Sequence, residues 1–333
     1  MAAATTGAIW TGPSDRHACG ATRRSIEDFL FFYPCDRFER IIMKNSRIMH
    51  IYAIGTILLW ATAFPITRIV GKAMDPIPLG TIRCTAAAVF LIIVGIINRI
   101  RLPKSFRDGC LLALAGACGF GFYMIFFNTG IMTLTSATSS IVIATTPVMT
   151  ALAASRIYGE KLTGIGYAAI ACAFLGVGVL LLWDGTLSIN VGVLWTLGAA
   201  VLFCCYNLLN RKLQADGYSS VEIMTYAMIS AAIILIIAAP HAFSDFAGIG
   251  NVDKALALYM GIVVSAVAYF LWAKAFEHAR HTSDVTNYMF LTPLVTTVLG
   301  FVMLREIPDW GTVVGGAMII SSVVVFNLKG KAD

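Results

Sequence analysis

Apolar residues run through most of the chain in stretches of about 20, separated by short polar connections. A helix of that length crosses the roughly 30 Å hydrocarbon core of a bilayer. The alternation of apolar and polar residues that marks a membrane β-strand is absent, and helices satisfy their own backbone hydrogen bonds in lipid. We therefore predict ten transmembrane helices, near residues 51–70, 77–97, 109–130, 134–155, 163–183, 191–210, 221–240, 255–276, 285–304 and 310–327.

The composition agrees with this pattern. Of the 333 residues, 58% are hydrophobic and 13% are charged, whereas about 25% of an ordinary soluble domain is charged. So few charged side chains cannot cover the exterior of a soluble protein of this size. The predicted fold class is an all-α integral membrane protein with no room for a soluble domain.

Basic residues in the loops predict the orientation in the membrane. With residues 1–48 and the intramembrane Arg83 set aside, alternate loops place twelve Arg and Lys on one side and four on the other. The positive-inside rule assigns the richer side, and both termini, to the cytoplasm. We expect a multi-pass protein of a bacterial inner membrane. No nucleic-acid partner is expected, because the basic residues lie in short loops and form no folded patch.

Residues 1–48 differ in character from the rest. They carry seven Arg and Lys and five Asp and Glu, and they lack the apolar region and cleavage site of a signal peptide. We expect a poorly structured extension without an assigned function. Met43 and Met49 each stand directly before the first span, so a start of translation at one of them and a disordered tail are both open.

The second half of the chain repeats the first. A shift of 146 residues aligns Tyr123 with Tyr269, Pro147 with Pro293 and Glu160 with Glu306, and a shift of 143 aligns Trp60 with Phe203 and Arg68 with Arg211. Each half contains five predicted spans, and an odd number inserts the second copy in the opposite sense. We predict two inverted five-helix repeats, residues 49–190 and 191–333, with a pathway between them that opens to each face in turn.

The residues that carry a family resemblance lie in both halves. They are the run Leu59 to Phe64 with Arg68, Arg83 at the opening of the second helix, Pro147 to Glu160, and Pro293 to Glu306. Over about residues 49–328 the chain resembles the EamA-type permeases of the drug/metabolite transporter superfamily. The resemblance implies a secondary carrier, often an exporter of amino acids or other small metabolites. It also implies a central cavity lined by spans one, three, four, six, eight and nine, with spans five and ten outside.

One feature departs from a related group. The small multidrug-resistance proteins resemble half of this fold and use a glutamate in their first helix to exchange protons for cationic drugs. Residues 49–74 contain no Asp or Glu. The sequence therefore disfavours a proton antiporter for cations of that kind.

Aromatic and neutral polar side chains gather on the expected cavity helices at spacings of three or four residues, which share a helix face. Such a pocket suits a small, weakly charged organic molecule, because aromatic faces give contact and amides orient polar ends. Packing between helices or against lipid is the competing interpretation for each residue. The candidate substrate-binding residues are Trp60, Phe64, Tyr123, Phe127, Tyr206, Asn207, Tyr269, Trp272, Asn287 and Tyr288.

Five further residues are candidates for gating or structural roles. Arg83 lies about seven residues into the second span. It either contacts an anion, supports a gate, snorkels to the interface or pairs with carbonyls at a helix end. Glu160 and Glu306 precede the last helix of each repeat, where a carboxylate accepts unpaired amide hydrogens; proton coupling through them is the open alternative. Pro147 and Pro293 interrupt spans four and nine, which leaves a carbonyl free and gives either a gating hinge or a packing kink.

Two other classes of protein are open as alternatives. Glu277, His278, His281 and Asp284 cluster between spans eight and nine and resemble the metal ligands of a membrane enzyme, although a solvated charged loop is the simpler explanation. A channel normally shows a ring of charges or a repeated filter sequence, and neither occurs. We expect a transporter without enzyme activity, cofactor or metal, whose partners are a small-molecule substrate and membrane lipid. The sequence leaves a homodimer open.

Overall fold

The computed structural model describes residues 35–159, 161–183, 190–278 and 287–330. Side chains are described from Ile48 onward within these ranges, except at positions 181, 273, 276, 277, 287 and 290. Contacts divide the chain into two units, Met1–Arg47 and Ile48–Asp333. The transmembrane bundle belongs to the second unit.

Eleven helices occupy the described residues, and two of them contain a π-helical turn. They are α1 (Cys35–Val70), α2 (Pro76–Ile97), α3 (Phe106–Ile131, with the π turn Ala117–Gly121), α4 (Ser136–Ile157), α5 (Gly164–Leu182), α6 (Val191–Ala215), α7 (Ser220–Ala238), α8 (Ala242–Gly248), α9 (Asn251–Tyr259, the π turn Met260–Val267 and Ala268–Glu277 in one run), α10 (Leu291–Leu304) and α11 (Trp310–Lys329). A 3₁₀ turn, Asn287–Phe290, leads into α10.

Eight of these helices are long and apolar enough to cross a membrane, namely α1 from Ile48 onward, α2, α3, α4, α6, α7, α9 and α11. The helices α5 and α10, at predicted spans five and nine, are apolar but shorter. No β-strand occurs among the described residues, which confirms the all-α class for them. The helix α1 begins at Cys35, well before the predicted span, because no glycine or proline interrupts the sequence between Cys35 and Gly55.

The outer surface of the bundle is apolar. Large aliphatic side chains are exposed on several helices, among them Ile96 at 72%, Ile237 at 75% and Val302 at 62% of their surface. An exterior with so many exposed large apolar side chains is unfavourable in water and normal against lipid chains. The protein is therefore a multi-pass membrane protein.

The helices approach one another closely at small residues. Gly176 in α5 and Gly315 in α11 face each other, and a Cβ on either would lie within 2.9 Å of the carbonyl oxygen of the other. Gly116 in α3 lies against the backbone of α7 at Ala227, where an added Cβ would clash. Lipid supplies little hydrophobic driving force between helices, so close backbone packing of this kind stabilises the bundle.

The two ends of the bundle carry different polar contacts. At the α6–α7 face, where α6 ends and α7 begins, Glu222 caps α7 by accepting from the backbone nitrogen of Ser219 at 2.8 Å, and it also accepts from the backbone nitrogen of Arg101 at 3.0 Å. At the α1–α2 face, where α1 ends and α2 begins, Arg68 and Glu306 form an ion pair. These contacts tie neighbouring helix ends together at both faces.

Candidate functional site

A cavity of about 730 Å³ lies between the helices. Its mouth is polar and is formed by Asn210, Arg211 and Gln214 at the end of α6 and by Ser220 at the start of α7. Its inner end reaches Trp60, near the middle of the membrane part of α1. This large cavity therefore opens toward the α6–α7 face.

A second, small cavity of about 90 Å³ lies beyond the inner end of the first, and Phe64, Arg83, Tyr123 and Phe127 are among the residues that line it. The side chains that line both cavities are Trp60, Phe203, Tyr269 and Met289, which we call the neck. The small cavity thus extends the large one toward the α1–α2 face, with the neck between them.

The helices around the two cavities agree in most respects with the expected set. Residues of α1, α3, α4, α6, α9 and the Met289–Thr292 region contribute, and those of α2 and α7 contribute as well. None of the described side chains of α5 is among them. The last helix differs from the expectation, because Phe326 and Asn327 of α11 line the large cavity.

The neck and its surroundings form a continuous group of aromatic rings. The ring centroid of Trp60 lies 4.9 Å from that of Tyr269 and 5.1 Å from that of Trp272. Tyr123 lies 5.5 Å from Phe203 and stacks on Phe127 at 5.5 Å. Distances of 4.5–7 Å are typical of favourable aromatic pairs. The rings lie between the two cavities and offer apolar faces to both.

Positions that the repeat aligns meet at this neck. Trp60 and Phe203 are aligned by the shift of 143 residues, and both line the two cavities. Tyr123 and Tyr269 are aligned by the shift of 146, and each follows a π-helical turn by two residues. Such turns are frequent at functional sites. Hydrophobic periodicity gives no signal for a π turn, so neither turn could be predicted from the sequence.

Eight of the ten candidate substrate-binding residues line at least one cavity: Trp60, Phe64, Tyr123, Phe127, Tyr206, Asn207, Tyr269 and Trp272. Tyr288 lines neither, because its hydroxyl is hydrogen-bonded to Nδ1 of His50 and its ring packs near Met49 and Ala53. The side chain of Asn287 lies outside the described residues. Phe203 and Met289 were not among the candidates, although the alignment of Trp60 with Phe203 was a usable signal for the first.

A polar strip follows one wall of the large cavity. The Nδ2 of Asn207 donates to Oγ1 of Thr150 at 3.4 Å, and Nε2 of Gln214 donates to Oδ1 of Asn210 at 3.1 Å. The hydroxyl of Tyr206 donates to the sulfur of Met224 at 3.2 Å, inside the wall. These groups give the cavity polar contacts without a carboxylate.

Arg83 is buried in the wall of the small cavity, with 5% of its surface exposed. Its Nε donates to Oγ of Ser265 at 3.3 Å, and its Nη1 has no hydrogen-bond partner in the described part of the chain. The side chain therefore does not snorkel to the interface. A charge at a helix centre costs about 2.5–3.5 kcal/mol on insertion scales, and an unpaired donor adds to that cost.

Glu306 connects the two halves of the chain at the α1–α2 face. Its Oε1 accepts from Nη1 of Arg68, and its Oε2 accepts from the backbone nitrogen of Ser136, at the start of α4, at 2.7 Å. The carboxylate was expected to accept amide hydrogens of the last helix of its repeat, α11. It instead accepts the amide hydrogen at the start of α4. The helix that follows it, α11, is capped by Asp309 through the nitrogen of Thr312 at 2.6 Å.

The aligned residue Glu160 lies outside the described residues. The residues before the two glutamates nevertheless share a conformation, since Gly159 has φ 69° and Arg305 has φ 57°. On the α6–α7 face, the guanidinium of Arg211 lies 4.4 Å from the ring centroid of Tyr158, a distance suited to a cation–π contact. Arg211 is the residue that the repeat aligns with Arg68.

The two prolines stand at the beginning of helical segments. The helix α4 is interrupted at Ala144 and Thr145, and Pro147 lies in the first turn of the segment Thr146–Ile157. The carbonyl of Ile143, which a proline at 147 cannot bond, accepts the hydroxyl of Thr146 at 2.7 Å and is not free. Pro293 lies in the first turn of α10, where a missing amide hydrogen costs little. Pro147 lines the large cavity.

A bundle of apolar helices with a central cavity open at one face defines a multi-pass membrane protein built around a solute-sized space. The model of the EamA-like transporter family matches residues 47–182 and 190–328. The chain therefore belongs to the EamA-like transporter family. Membership in a family of transporters favours a protein without enzyme activity, and the histidine cluster that suggested otherwise includes His281 and Asp284, which lie outside the described residues.

Relatives of known sequence carry transporter names. The chain is 30% identical over 274 residues to a "Probable terminal-alkyne amino-acid exporter" of Streptantibioticus cattleyicolor, covering 82% of this chain and 91% of that one. It is 24% identical to "Uncharacterized transporter YdfC" of Bacillus subtilis, covering 86% and 92%. A solved crystal structure at 19% identity covers 84% of this chain and 96% of its own, with a TM-score of 0.57. That structure supports the fold alone.

Proposed function

We propose that this protein is a secondary transporter that moves an amino acid or a similar small organic solute by alternating access. The observation that carries the proposal is the large cavity, which opens at the α6–α7 face and ends at an aromatic neck. The ion pair of Arg68 with Glu306 ties the two halves together at the opposite face. A solute bound at the neck would reach the other side if that pair separated and the open mouth closed.

The sequence supports an inward-open assignment for this conformation. The α6–α7 face carries the loops that are rich in Arg and Lys, which the positive-inside rule places in the cytoplasm. A cavity that opens there would take its solute from the cytoplasm of a bacterial cell. Export is the direction we propose, in line with the name of the relative from Streptantibioticus cattleyicolor.

Two inverted five-helix repeats would provide the second conformation. The family model matches the chain twice, and aligned pairs such as Trp60 with Phe203 and Tyr123 with Tyr269 lie around one neck. If each half adopts the conformation of the other, the closed face opens and the open face closes. This exchange requires α5 and α10 to serve as the fifth and ninth of ten spans.

The test is counterflow of labelled amino acids in liposomes that contain the purified full chain. We expect external label to accumulate only when unlabelled solute is present inside, because a carrier exchanges one solute for another. Leucine, phenylalanine and propargylglycine are suitable probes, since the neck is aromatic and the relative is named for alkyne amino acids. Flux that does not saturate and shows no counterflow would indicate a channel and overturn the carrier.

A further inference from the structure

Two hydrogen-bond donors stand without partners around the small cavity. Nη1 of Arg83 and Nε1 of Trp60 are both buried, and neither has a hydrogen-bond partner in the part of the chain that the structure describes. Both side chains line the small cavity. Buried donors are normally paired, so two unpaired donors in one cavity wall suggest that their partner is a ligand.

The charge at this site points to the chemistry of the ligand. Among the described residues, Arg83 has no carboxylate within ion-pair distance, and none of those that line the small cavity is an Asp or Glu. A carboxylate accepts hydrogen bonds, donates none, and matches the planar guanidinium with two oxygens. An ammonium group or a second cation would instead be repelled. The site is therefore built for an anion with at least two acceptor atoms.

We propose that Arg83 binds the carboxylate of the transported solute, with Nε1 of Trp60 as a second donor. The small cavity, about 90 Å³, holds the carboxylate and the carbon next to it, and the remainder of the solute extends through the neck. This proposal rests on the proposed function and narrows the substrate to monocarboxylic acids, α-amino acids among them.

The neck offers a place for the ammonium group of an amino acid. The rings of Trp60, Phe203 and Tyr269 border both cavities, and aromatic faces attract a cation within about 6 Å of their centroids. A zwitterion would then direct its carboxylate to Arg83 and its ammonium to these rings. We therefore expect the amino acid to bind most tightly, its primary amide more weakly, and the corresponding amine most weakly.

Two series of ligands that differ at the carboxylate test the proposal. Isothermal titration calorimetry on the full chain in nanodiscs measures the binding of each ligand. One series is leucine, leucinamide and isoamylamine, and the other is phenylalanine, phenylalaninamide and phenethylamine. For the wild type, we expect at least one acid to bind at least tenfold more tightly than its amide. In Arg83→Gln, the dissociation constant of that acid should rise at least tenfold, while that of the amide should change less than threefold.

Further variants separate the loss of the ligand contact from a failure to fold. Arg83→Lys retains the positive charge but lacks the planar guanidinium that matches two carboxylate oxygens. It should therefore retain part of the preference for acid over amide that Arg83→Gln loses. Ser265→Ala removes the hydroxyl that accepts from Nε and leaves the guanidinium in the wall of the small cavity, so it should retain most of the discrimination. If Arg83→Gln does not yield monodisperse protein, an infrared shift of the ¹³C-labelled carboxylate on binding to the wild type replaces it. A labelled carboxylate whose band does not shift overturns the proposal.

The outcomes distinguish this proposal from the proposed function. Equal affinity of acid and amide for the wild type, or unchanged discrimination in Arg83→Gln, overturns the carboxylate site while transport stands. Counterflow of amines or amides in preference to acids does the same. If no acid, amide or amine binds or exchanges, both the carboxylate site and the amino-acid transporter are overturned.

Discussion

The guanidinium of Arg68 donates a hydrogen bond to the carboxylate of Glu306, a residue 238 positions later in the chain. The same carboxylate accepts the amide hydrogen of Ser136, so one side chain joins α1, α4 and the connection between α10 and α11. Glu306 is 11% exposed and Arg68 is 26% exposed. This contact closes the face of the bundle opposite the mouth of the large cavity, and alternating access would require it to break.

Glu306→Gln should loosen that face. A glutamine keeps the shape but loses the charge, and a partly exposed pair of this kind contributes about 1 kcal/mol. We expect the population open at the α1–α2 face to rise about fivefold. The measurement is labelling of Ser140→Cys, which lines the small cavity, by a membrane-impermeant thiol reagent applied to that face, with the eight native cysteines replaced.

Asp309→Asn is the matched control for this prediction. It alters a carboxylate three residues away that caps α11 through the nitrogen of Thr312, and its hydrogen bonds in the described part of the chain include none to Arg68 or α4. Its labelling rate should stay within twofold of the parent. A rate for Glu306→Gln equal to that of Asp309→Asn would show that the ion pair does not hold the face closed.

Trp60→Ala should slow amino-acid exchange at least tenfold. The indole borders both cavities, and loss of a large aromatic contact at a binding site commonly costs 2 kcal/mol or more. Trp195→Ala is the control, since Trp195 pairs with Phe126 at 4.9 Å and lines neither cavity. Exchange is measured in liposomes, and similar rates for the two variants would contradict the assignment of the neck.

Asn207→Ala tests the polar wall separately. The amide lines the large cavity and holds Thr150 at 3.4 Å. We expect exchange to fall about fivefold, since one neutral hydrogen bond is worth roughly 1 kcal/mol. Asn98→Ala, which removes an exposed amide at the end of α2, should leave exchange unchanged. A loss of exchange in both variants would point to a general defect in folding.

The positions of the helices could be predicted from the sequence because each helix depends on its own run of apolar residues. The second span was predicted at residues 77–97, and α2 occupies Pro76–Ile97. Interruptions were harder to place. Pro147 marked the break in α4, but the π turns Ala117–Gly121 and Met260–Val267 depend on packing between helices, for which a single sequence gives no signal.

The site was predictable to the extent that the repeat identified it. Trp60, Tyr123 and Tyr269 belong to aligned pairs and lie at or beside the neck. Tyr288 is also aromatic and was predicted at a similar depth, but its hydroxyl is hydrogen-bonded to His50. Periodicity alone does not say which face of a helix meets the cavity. The hydrogen bond of Glu306 with the backbone nitrogen of Ser136 could not be predicted either, since that nitrogen belongs to a helix 170 residues earlier in the chain.

Gly116→Ala should destabilise the bundle. The added methyl group would clash with the backbone of α7 at Ala227, which cannot move as a side chain can. We expect a loss of about 2 kcal/mol, seen as a fall of roughly 5 °C in the unfolding midpoint in detergent. Gly178→Ala in α5 has nothing within 4 Å of the added atom and should be neutral or slightly stabilising. Equal midpoints for the two variants would contradict the close approach of α3 to α7.

Arg211→Gln should act in the opposite direction to Glu306→Gln. The repeat aligns Arg211 with Arg68, and Arg211 lies at the mouth of the large cavity, over the ring of Tyr158. If it helps to close the α6–α7 face in the other conformation, its loss disfavours that conformation. Labelling of Ser140→Cys from the α1–α2 face should then fall about threefold, since an exposed charge contributes well under 1 kcal/mol. An increase in labelling, as expected for Glu306→Gln, would argue against an inverted relation between the two halves.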